Sequence, residues 1–235
     1  VMSHLGDQGF SPCTPDRLLD LTEVRLALRA LAAFHVLVPA DLPGFEPRHA
    51  WADFGETVRP LLAGGFAWLR QRGCIAGEVV EKLESARICE ILTSPVSGAR
   101  VMCHGDCWLS NWLLDGPAAA GRAALVDFQF AGPGVAADDV LALLFTGMDG
   151  ELRRVHQKAL LEYYGEQRDA ALRRKAMPVP AAACAESPLA WQPWGRDELR
   201  HGAALAALIL LSDLSLFPEA LAAVALEDIA ALLSA

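Results

Sequence analysis

The most informative segment of the chain is His104-Gly105-Asp106-Cys107-Trp108-Leu109-Ser110-Asn111. A second stretch, Val126-Asp127-Phe128-Gln129, follows it at the end of an apolar run. The first has the spacing H-x-D-x-x-x-x-N and the second carries a D-F pair. Together they are typical of a loop with a catalytic carboxylate and a nearby carboxylate that binds a metal ion. The first pattern alone is weak evidence, because it occurs often by chance, but the combination is specific.

The residues between the two patterns predict a β-hairpin. Trp112 to Leu114 and Ala123 to Val126 are predicted to form two short strands, and Asp115-Gly116 is a turn signal. Asp127 lies sixteen positions after Asn111, which leaves room for a strand, a turn and a strand. We therefore expect the hairpin to bring Asn111 and Asp127 to the same end.

Most of the remaining chain has the periodicity of helices. Asp20 is expected to cap the first helix, with Glu23 three residues on as in a capping box. The predicted helices span residues 20–35, 61–72, 78–92, 137–145, 151–174, 197–216 and 218–233. Loops or turns are predicted at 11–15, 40–60, 94–98, 132–134 and 178–193, and residues 100–103 are strand-like. Two short strands among eight or so helices predict a mostly helical α+β domain.

Composition excludes several classes of function. The chain has 235 residues, of which 53% are hydrophobic and 21% charged, as in a folded globular protein. Its net charge of -9 disfavours nucleic acid as a partner. Its longest apolar run, residues 203–211, is shorter than the about 20 residues that a membrane span needs. The six cysteines form no close-set pairs, so reduced thiols and a cytoplasmic location are expected.

The residue types at the two patterns fit phosphoryl transfer. Such a reaction needs a group that orients the attacking hydroxyl and accepts its proton, which is the role expected of Asp106. It also needs Mg²⁺, which binds oxygen ligands. Asp127 can supply a carboxylate oxygen and Asn111 a carbonyl oxygen, so both are candidate metal and cofactor ligands. His104 is expected to hold the catalytic loop by hydrogen bonds.

These residues resemble a known superfamily. His104-Gly105-Asp106, with Trp108 and Asn111, is similar to the loop of the aminoglycoside phosphotransferases and choline kinases, which have a protein-kinase-like fold. The Gly after the His, the Trp two positions after the Asp, and Asp127-Phe128-Gln129 most resemble the ecdysteroid kinase-like branch. The other branches more often have an acidic residue in place of this Gln. The resemblance extends along nearly the whole chain, but only residues 104–140 are specific.

The flanking segments extend the resemblance. Residues 134–140 are similar to the family segment in which an Asp braces the catalytic loop from the next helix. By spacing we assign this role to Asp139, with Asp138 as the alternative. Residues 28–35 resemble the family's long helix that ends in a His. Trp108 either shapes the acceptor site or packs in the core, and the sequence leaves both open.

The resemblance implies a C-terminal lobe in which a small β-hairpin carries the catalytic and metal loops, and an absent N-terminal β-lobe. No G-x-G-x-x-G pattern occurs, and the three lysines lie in helical patterns. Residues 1–10 resemble a hinge and residues 11–235 the lobe, with the helical substrate-binding part mainly in 40–95 and 150–235. A longer product or a partner chain is then expected to supply the N-terminal lobe.

The function implied is transfer of the γ-phosphate of ATP, with Mg²⁺, to a hydroxyl of a small molecule. The alternative is a non-catalytic kinase-like binding module or an inactive fragment, since the lysine and the glycine-rich loop are missing. Cys103, His104 and Cys107 have no common zinc spacing, so they predict no metal site. Three histidines are interpreted as packing or surface residues, and two tryptophans as pocket or core residues: His35, His156, His201, Trp191 and Trp194.

Overall fold

Helices form most of the protein. The structure, a computed structural model, describes residues 5–96, 99–116, 121–176 and 193–234. Within these ranges the helices are α1 (Leu21–Leu37), α2 (Phe54–Arg72), α3 (Gly77–Ser85), α4 (Ile88–Thr93), α5 (Ala136–Gly147), α6 (Gly150–Ala176), α7 (Arg196–Ser212) and α8 (Glu219–Ser234). The strands are β1 (Phe10–Pro12), β2 (Val101–Cys103), β3 (Trp112–Asp115), β4 (Arg122–Leu125) and β5 (Gly132–Gly134). The mostly helical α+β class is confirmed.

Helix α1 begins where the sequence predicts. The Asp20 side chain accepts hydrogen bonds from the backbone N–H groups of Thr22 and Glu23, and the Glu23 side chain accepts one from the Asp20 N–H. This reciprocal capping box satisfies backbone donors that have no partner inside the helix. The apolar face of α1 packs mainly on α6, and its last turn carries the buried His35.

Three helix boundaries differ from the prediction. Helix α2 begins at Phe54 and continues across Pro60, although the prolines before residue 61 favoured an irregular connection. The single helix predicted over 78–92 is two helices, because Arg87 takes a left-handed conformation with a φ of 58°. The helix predicted to reach residue 216 ends at Ser212, and a 3₁₀ turn follows.

The predicted hairpin and the strand predicted at 100–103 are both present, and two further short strands, β1 and β5, were not predicted. Strands β3 and β4 pair antiparallel, from Trp112 opposite Leu125 to Asp115 opposite Arg122. Strand β1 pairs with the other edge of β3, which corrects the loop predicted over 11–15. Strand β5 pairs antiparallel with β2, which corrects the turn predicted at 132–134. Both strands form by pairing with residues far along the chain, which local sequence patterns do not predict.

Helix α5 is the central helix of the fold. All of its residues are buried, and it packs chiefly against α7. Its first turn carries Asp138 and Asp139, each fully buried. A buried carboxylate requires partners, so this turn is a point where polar groups from several elements converge. Among the described helices, none is both long and apolar enough to cross a membrane.

Candidate active site

The catalytic-loop pattern lies between β2 and β3. The loop leaves β2 at Cys103 and enters β3 through a 3₁₀ turn, Leu109–Asn111. The Asn111 side-chain amide donates to the Asp106 carbonyl oxygen at 2.8 Å and to Asp106 Oδ2 at 3.2 Å. The buried Asn111 therefore fixes both the backbone and the carboxylate of Asp106, the residue predicted as the base.

His104 is fully buried and joins the loop to the second motif. Its Nδ1 accepts from the Asp106 N–H at 3.3 Å, so Nε2 carries the ring proton. Nε2 lies 2.8 Å from the carbonyl oxygen of Val126 and donates to it. Val126 directly precedes Asp127, so the ring links the loop to the strand that carries the second carboxylate. This geometry matches the holding role that the sequence predicts for His104.

Asp127 lies at the end of β4, close to Asn111. The Val126 N–H donates to the Asn111 carbonyl oxygen at 3.0 Å, which brings the two predicted metal ligands to one end of the hairpin. Asp127 is exposed and has a φ of 65°, a left-handed conformation that non-glycine residues rarely adopt. Gln129 Nε2 lies 3.4 Å from Asp127 Oδ2.

The environment of Asp106 raises the pKa of its carboxyl group. Burial is the main cause, because it disfavours the charged form, and the negative charge of Asp127 acts in the same direction. The hydrogen bond from Asn111 and the nearby His104 and Arg48 oppose this rise without cancelling it. A carboxylate with a raised pKa is a stronger base than a free one, which suits proton transfer from a hydroxyl.

Asp139 binds the catalytic loop from α5. Its Oδ2 accepts from the His104 N–H at 2.6 Å and its Oδ1 from the Gly105 N–H at 2.9 Å. His35 Nε2 lies 3.0 Å from the same carboxylate, and the Tyr164 hydroxyl lies 2.7 Å from His35 Nδ1. Burial alone would raise the pKa of Asp139, but the hydrogen-bonded His35, the nearby His104 ring and the Gly105 N–H hold this pKa below its usual value.

Asp138, the alternative for this role, has other partners. It accepts from Arg48 Nη2 at 3.1 Å and lies 2.6 Å from His201 Nδ1. Arg48 Nη1 also donates to the Gly105 carbonyl oxygen at 2.5 Å. The two neighbouring carboxylates thus hold opposite sides of the loop, Asp139 through the backbone N–H groups and Asp138 through Arg48.

The sequence did not predict a role for Arg48, and it indicated only a packing or surface residue at His201. Arg48 lies in the segment predicted as an irregular connection, and His201 lies 63 positions from Asp138. No local spacing rule links them to the loop, although the Pro47-Arg48-His49 sequence marks a polar interruption there. Gly105, which Arg48 contacts, has a φ of 84°, and a Cβ there would lie 2.2 Å from the Phe130 carbonyl oxygen. Only glycine fits this position of the loop.

Asp106 opens onto two apolar cavities. The larger has a volume of about 360 Å³ and is lined largely by α2 and α7. The smaller has a volume of about 200 Å³ and includes Trp108 and Phe217. The Trp108 ring also packs edge-on against Phe217, with 5.6 Å between ring centroids. The sequence left two roles open for Trp108, shaping the acceptor site or packing in the core. In the structure Trp108 lines a cavity with Asp106 and also packs against Phe217.

One group of potential metal ligands lies within the described residues. The ligand atoms of His35, Cys103 and Asp139 lie within 4.8 Å of one another. The Cys103 thiol donates to the Val135 carbonyl oxygen at 3.2 Å, and burial raises the pKa of this thiol well above its usual value. His35 and Asp139 also have protein partners, Tyr164 and the His104 N–H, so all three groups make hydrogen-bonded contacts in the core. Cys103, His104 and Cys107 form no such group in the described part of the chain.

The sequence also singled out two tryptophans and three lysines. Trp194 packs against Tyr164 with ring centroids 5.5 Å apart, and Trp191 lies outside the described residues. None of the three lysines lines a described cavity that contains Asp106. Lys175 instead donates to the Val36 carbonyl oxygen.

A solved structure and a family model are each similar to part or most of this chain. A structure of choline kinase from Cryptosporidium parvum Iowa II aligns with a TM-score of 0.48 and 12% identity, covering 96% of this chain and 68% of that one. A likeness at this level does not bear on activity. No curated protein matches. The model of the ecdysteroid kinase-like family matches residues 73–175, the part of the chain that contains both motifs and Asp139. Over residues 73–175 the chain is similar to the ecdysteroid kinase-like family, which agrees with the family resemblance predicted from its motifs.

Proposed function

We propose that the protein is a phosphotransferase that transfers the γ-phosphate of ATP, with Mg²⁺, to a hydroxyl of a small molecule. The observation that carries the proposal is the convergence of Asp106, Asn111 and Asp127 at one end of the hairpin, next to a cavity. The family match over residues 73–175 supports a small-molecule kinase at the level of the family.

In this proposal Asp106 is the general base. It accepts the proton of the acceptor hydroxyl as the hydroxyl oxygen forms a bond to the γ-phosphorus. The bond from that phosphorus to the bridging oxygen breaks, and the electron pair leaves with ADP. The raised pKa of Asp106 increases its proton affinity, and Asn111 orients the carboxylate. Asp139 and His104 position the loop and do not touch the reacting atoms.

The donor set fits Mg²⁺. Asn111 uses its amide nitrogen to bind Asp106, so its amide oxygen is the atom left for a cation. Asp127 is exposed at the same end of the hairpin and adds a carboxylate oxygen. These are hard oxygen ligands, which Mg²⁺ prefers, with room for water molecules. When bound, Mg²⁺ neutralises the phosphate charge that otherwise repels the attacking oxygen.

The three lysines of the chain lie away from this site, so the α- and β-phosphates need other partners. We propose that a longer product or a partner chain supplies the lysine and the phosphate-covering loop. Arg48, which also lines the cavity, donates to the Gly105 carbonyl oxygen and to Asp138.

Calorimetric titration with ATP and Mg²⁺ tests nucleotide binding. We expect saturable binding by the full chain, its loss in Asp127→Ala, and its retention in the exposed loop control Asp41→Ala. Turnover is then measured as ADP release with a panel of alcohols, and Asp106→Ala should lower it by about 10²–10⁴-fold. Turnover that is unchanged in Asp106→Ala would contradict the proposed role of the base.

A further inference from the structure

A further cavity lies between α4 and the first turns of α7, and we call it the α4–α7 cavity. Its volume is about 340 Å³, and the residues that define it are Arg87, Glu90, Val96, Asp197, Arg200 and His201. Among the described residues, none lines both this cavity and either of the cavities that contain Asp106. A ligand in the α4–α7 cavity would therefore leave the proposed acceptor site empty.

Arg200 has an unsatisfied donor at this cavity. Its Nε atom is fully buried and has no hydrogen-bond partner among the described residues. The two carboxylates of the cavity do not supply one, because Glu90 pairs with Arg87 at 2.5 Å and Asp197 is exposed. A buried N–H without an acceptor lowers stability. The guanidinium group can therefore turn towards a ligand in the cavity without giving up a hydrogen bond from Nε.

A second, smaller cavity continues the first. Its volume is about 30 Å³, and it shares Val96 and His201 with the α4–α7 cavity. Arg48 and Arg100 also line it, and Asp138 is the one described carboxylate in its walls. Asp138 is held by Arg48 Nη2 at 3.1 Å and by His201 Nδ1 at 2.6 Å. It is thus already engaged by two partners.

Positive charge is in excess around these two cavities. Of the arginines that line them, Arg100 and Arg200 form no ion pair within the described part of the chain. His49 responds to this charge, since its pKa is lowered mainly by burial and further by the charges of Arg100 and His201. An anion bound here would offset the excess, whereas a cation would add to it.

We infer that the α4–α7 cavity binds a phosphate group, with Arg200 as its main donor and Arg100 as a second positive charge. The planar guanidinium fork can donate to two oxygens of one phosphate. Phosphate is favoured over a carboxylate because it has a third oxygen and a larger negative charge for the second arginine. Ile91 and Val96 add apolar wall, so the cavity has room for either free phosphate or a small phosphate ester.

The inferred site adjoins the groups that hold the catalytic loop. His201 lines the cavity and contacts Asp138, which binds Arg48, and Arg48 donates to the Gly105 carbonyl oxygen. Asp106, however, lines neither the α4–α7 cavity nor its smaller neighbour. The bound phosphate is therefore not the reacting one, and the inference does not depend on the proposed function.

NMR titration of the ¹⁵N-labelled full chain, without nucleotide or Mg²⁺, tests the inference. The probes are inorganic phosphate, phenyl phosphate and benzoate, at an ionic strength held constant with NaCl. We expect the backbone amide signals of Val96, Arg200 and His201 to shift with saturation for both phosphates, and benzoate to bind at least tenfold more weakly. Tighter binding of phenyl phosphate would identify an ester and equal binding free phosphate, and both support the inference. Shifts that do not saturate, or benzoate binding as tight as that of phenyl phosphate, would overturn it.

Three arginine variants locate the site. Arg200→Gln should weaken phosphate binding at least tenfold, because it removes the charged donor, and Arg100→Gln should weaken it about threefold. Arg174 on α6 is exposed and lines neither cavity, so Arg174→Gln should leave the affinity unchanged. Arg100 is exposed, so its variant tests the site even if Arg200→Gln folds poorly. An unchanged affinity in either folded variant would refute the location.

Arg200→Met gives a readout that a purely structural arginine would not show. The substitution keeps an apolar stem and removes the unsatisfied donor, so we expect a higher urea midpoint than that of the wild-type chain without phosphate. Added phosphate should raise the midpoint of the wild-type chain and leave that of Arg200→Met unchanged, because only the former binds it. A lower midpoint in Arg200→Met without phosphate would mean that Arg200 serves the fold, and would overturn its assignment as a ligand-binding residue.

Discussion

At the scale of single residues, Asp106 combines a functional requirement with a cost in stability. The fold raises the pKa of its carboxyl group, chiefly by burial, which means that the folded state binds the proton more tightly than the unfolded state does. Above that pKa, the charged carboxylate therefore lowers the free energy of unfolding. This is the pattern of an active-site group that is retained for function at the expense of stability.

Asp106→Asn should therefore separate stability from activity. The amide keeps the shape of the side chain and an oxygen that can accept from Asn111, but it removes the buried charge. We expect a higher urea midpoint at pH 7 with an unchanged slope, together with a loss of phosphoryl transfer of about 10²–10⁴-fold. A lower midpoint would mean that the carboxylate stabilises the fold.

Asp139 should behave in the opposite way. Its pKa is held below the usual value, so its contribution to stability is present above its unfolded pKa and is lost as the pH falls through the folded pKa. Asp139→Ala leaves the N–H groups of His104 and Gly105 without their acceptor and should cost about 3–5 kcal/mol of unfolding free energy at pH 7. Urea denaturation measures this loss.

The control for this prediction is the dependence on pH. The difference between the wild-type chain and Asp139→Ala should shrink as the pH is lowered below about 4, because the unfolded wild-type chain then gains a proton that the folded carboxylate, with its lowered pKa, binds less readily. A difference that stays constant from pH 7 to the acid limit of folding would show that shape, not charge, accounts for the effect.

At the scale of elements, two adjacent glycines of α2 should respond differently to the same substitution. A Cβ at Gly65 would lie 2.4 Å from the Leu211 carbonyl oxygen of α7, whereas a Cβ at Gly64 would meet no atom within 4 Å. Gly65→Ala should lower the free energy of unfolding by about 1–3 kcal/mol, because α2 and α7 must separate. Gly64→Ala should raise it by about 0.5–1 kcal/mol, since alanine favours helix.

Thermal or urea unfolding of the two variants checks this pair. Both substitutions add one methyl group to the same helix, so helix propensity changes equally in both. If Gly65→Ala were as stable as Gly64→Ala, the close contact between α2 and α7 would not constrain the fold.

The elements that the sequence predicted correctly are those with local signals. The capping box at Asp20 and the hairpin between Asn111 and Asp127 both lie within short stretches of chain, and both are present. Strands β1 and β5 contain Pro, and β5 is Gly-Pro-Gly, so nothing in their composition indicates a strand. They form because β3 and β2 offer unpaired edges, which no local pattern encodes.

In the candidate site, too, the sequence predicted the residues that belong to local motifs and not those that long-range packing brings in. The spacing of the two motifs predicted Asp106, Asn111 and Asp127 as site residues, and the family resemblance predicted Asp139. Arg48 reaches Gly105 over 57 positions, and that contact depends on the path of the chain between α1 and α2. The apolar cavity forms only because α2 and α7 pack side by side. These helices are far apart in sequence, so the sequence alone does not predict the cavity.

At the scale of the whole molecule, one hydrogen-bond network crosses the interior. It runs from Tyr164 on α6 through His35 on α1 to Asp139, which binds the Gly105 N–H. On the other side, the Gly105 carbonyl oxygen accepts from Arg48, which also binds Asp138. The two halves of the network therefore meet at one peptide segment of the catalytic loop. Groups in one network are expected to be energetically coupled even when they are far apart in sequence.

A double-mutant cycle with Tyr164→Phe and Arg48→Met should detect this coupling. The two side chains act on Gly105 from opposite sides, so loss of one should change the cost of losing the other by more than about 0.5 kcal/mol in urea unfolding. A cycle that pairs Tyr164→Phe with Gly64→Ala is the control, because Gly64 lies outside the network and its effect should add within about 0.5 kcal/mol. Additivity in both cycles would mean that Asp138 and Asp139 anchor the loop independently. The contacts of Arg48 would then stabilise the loop without coupling to Tyr164.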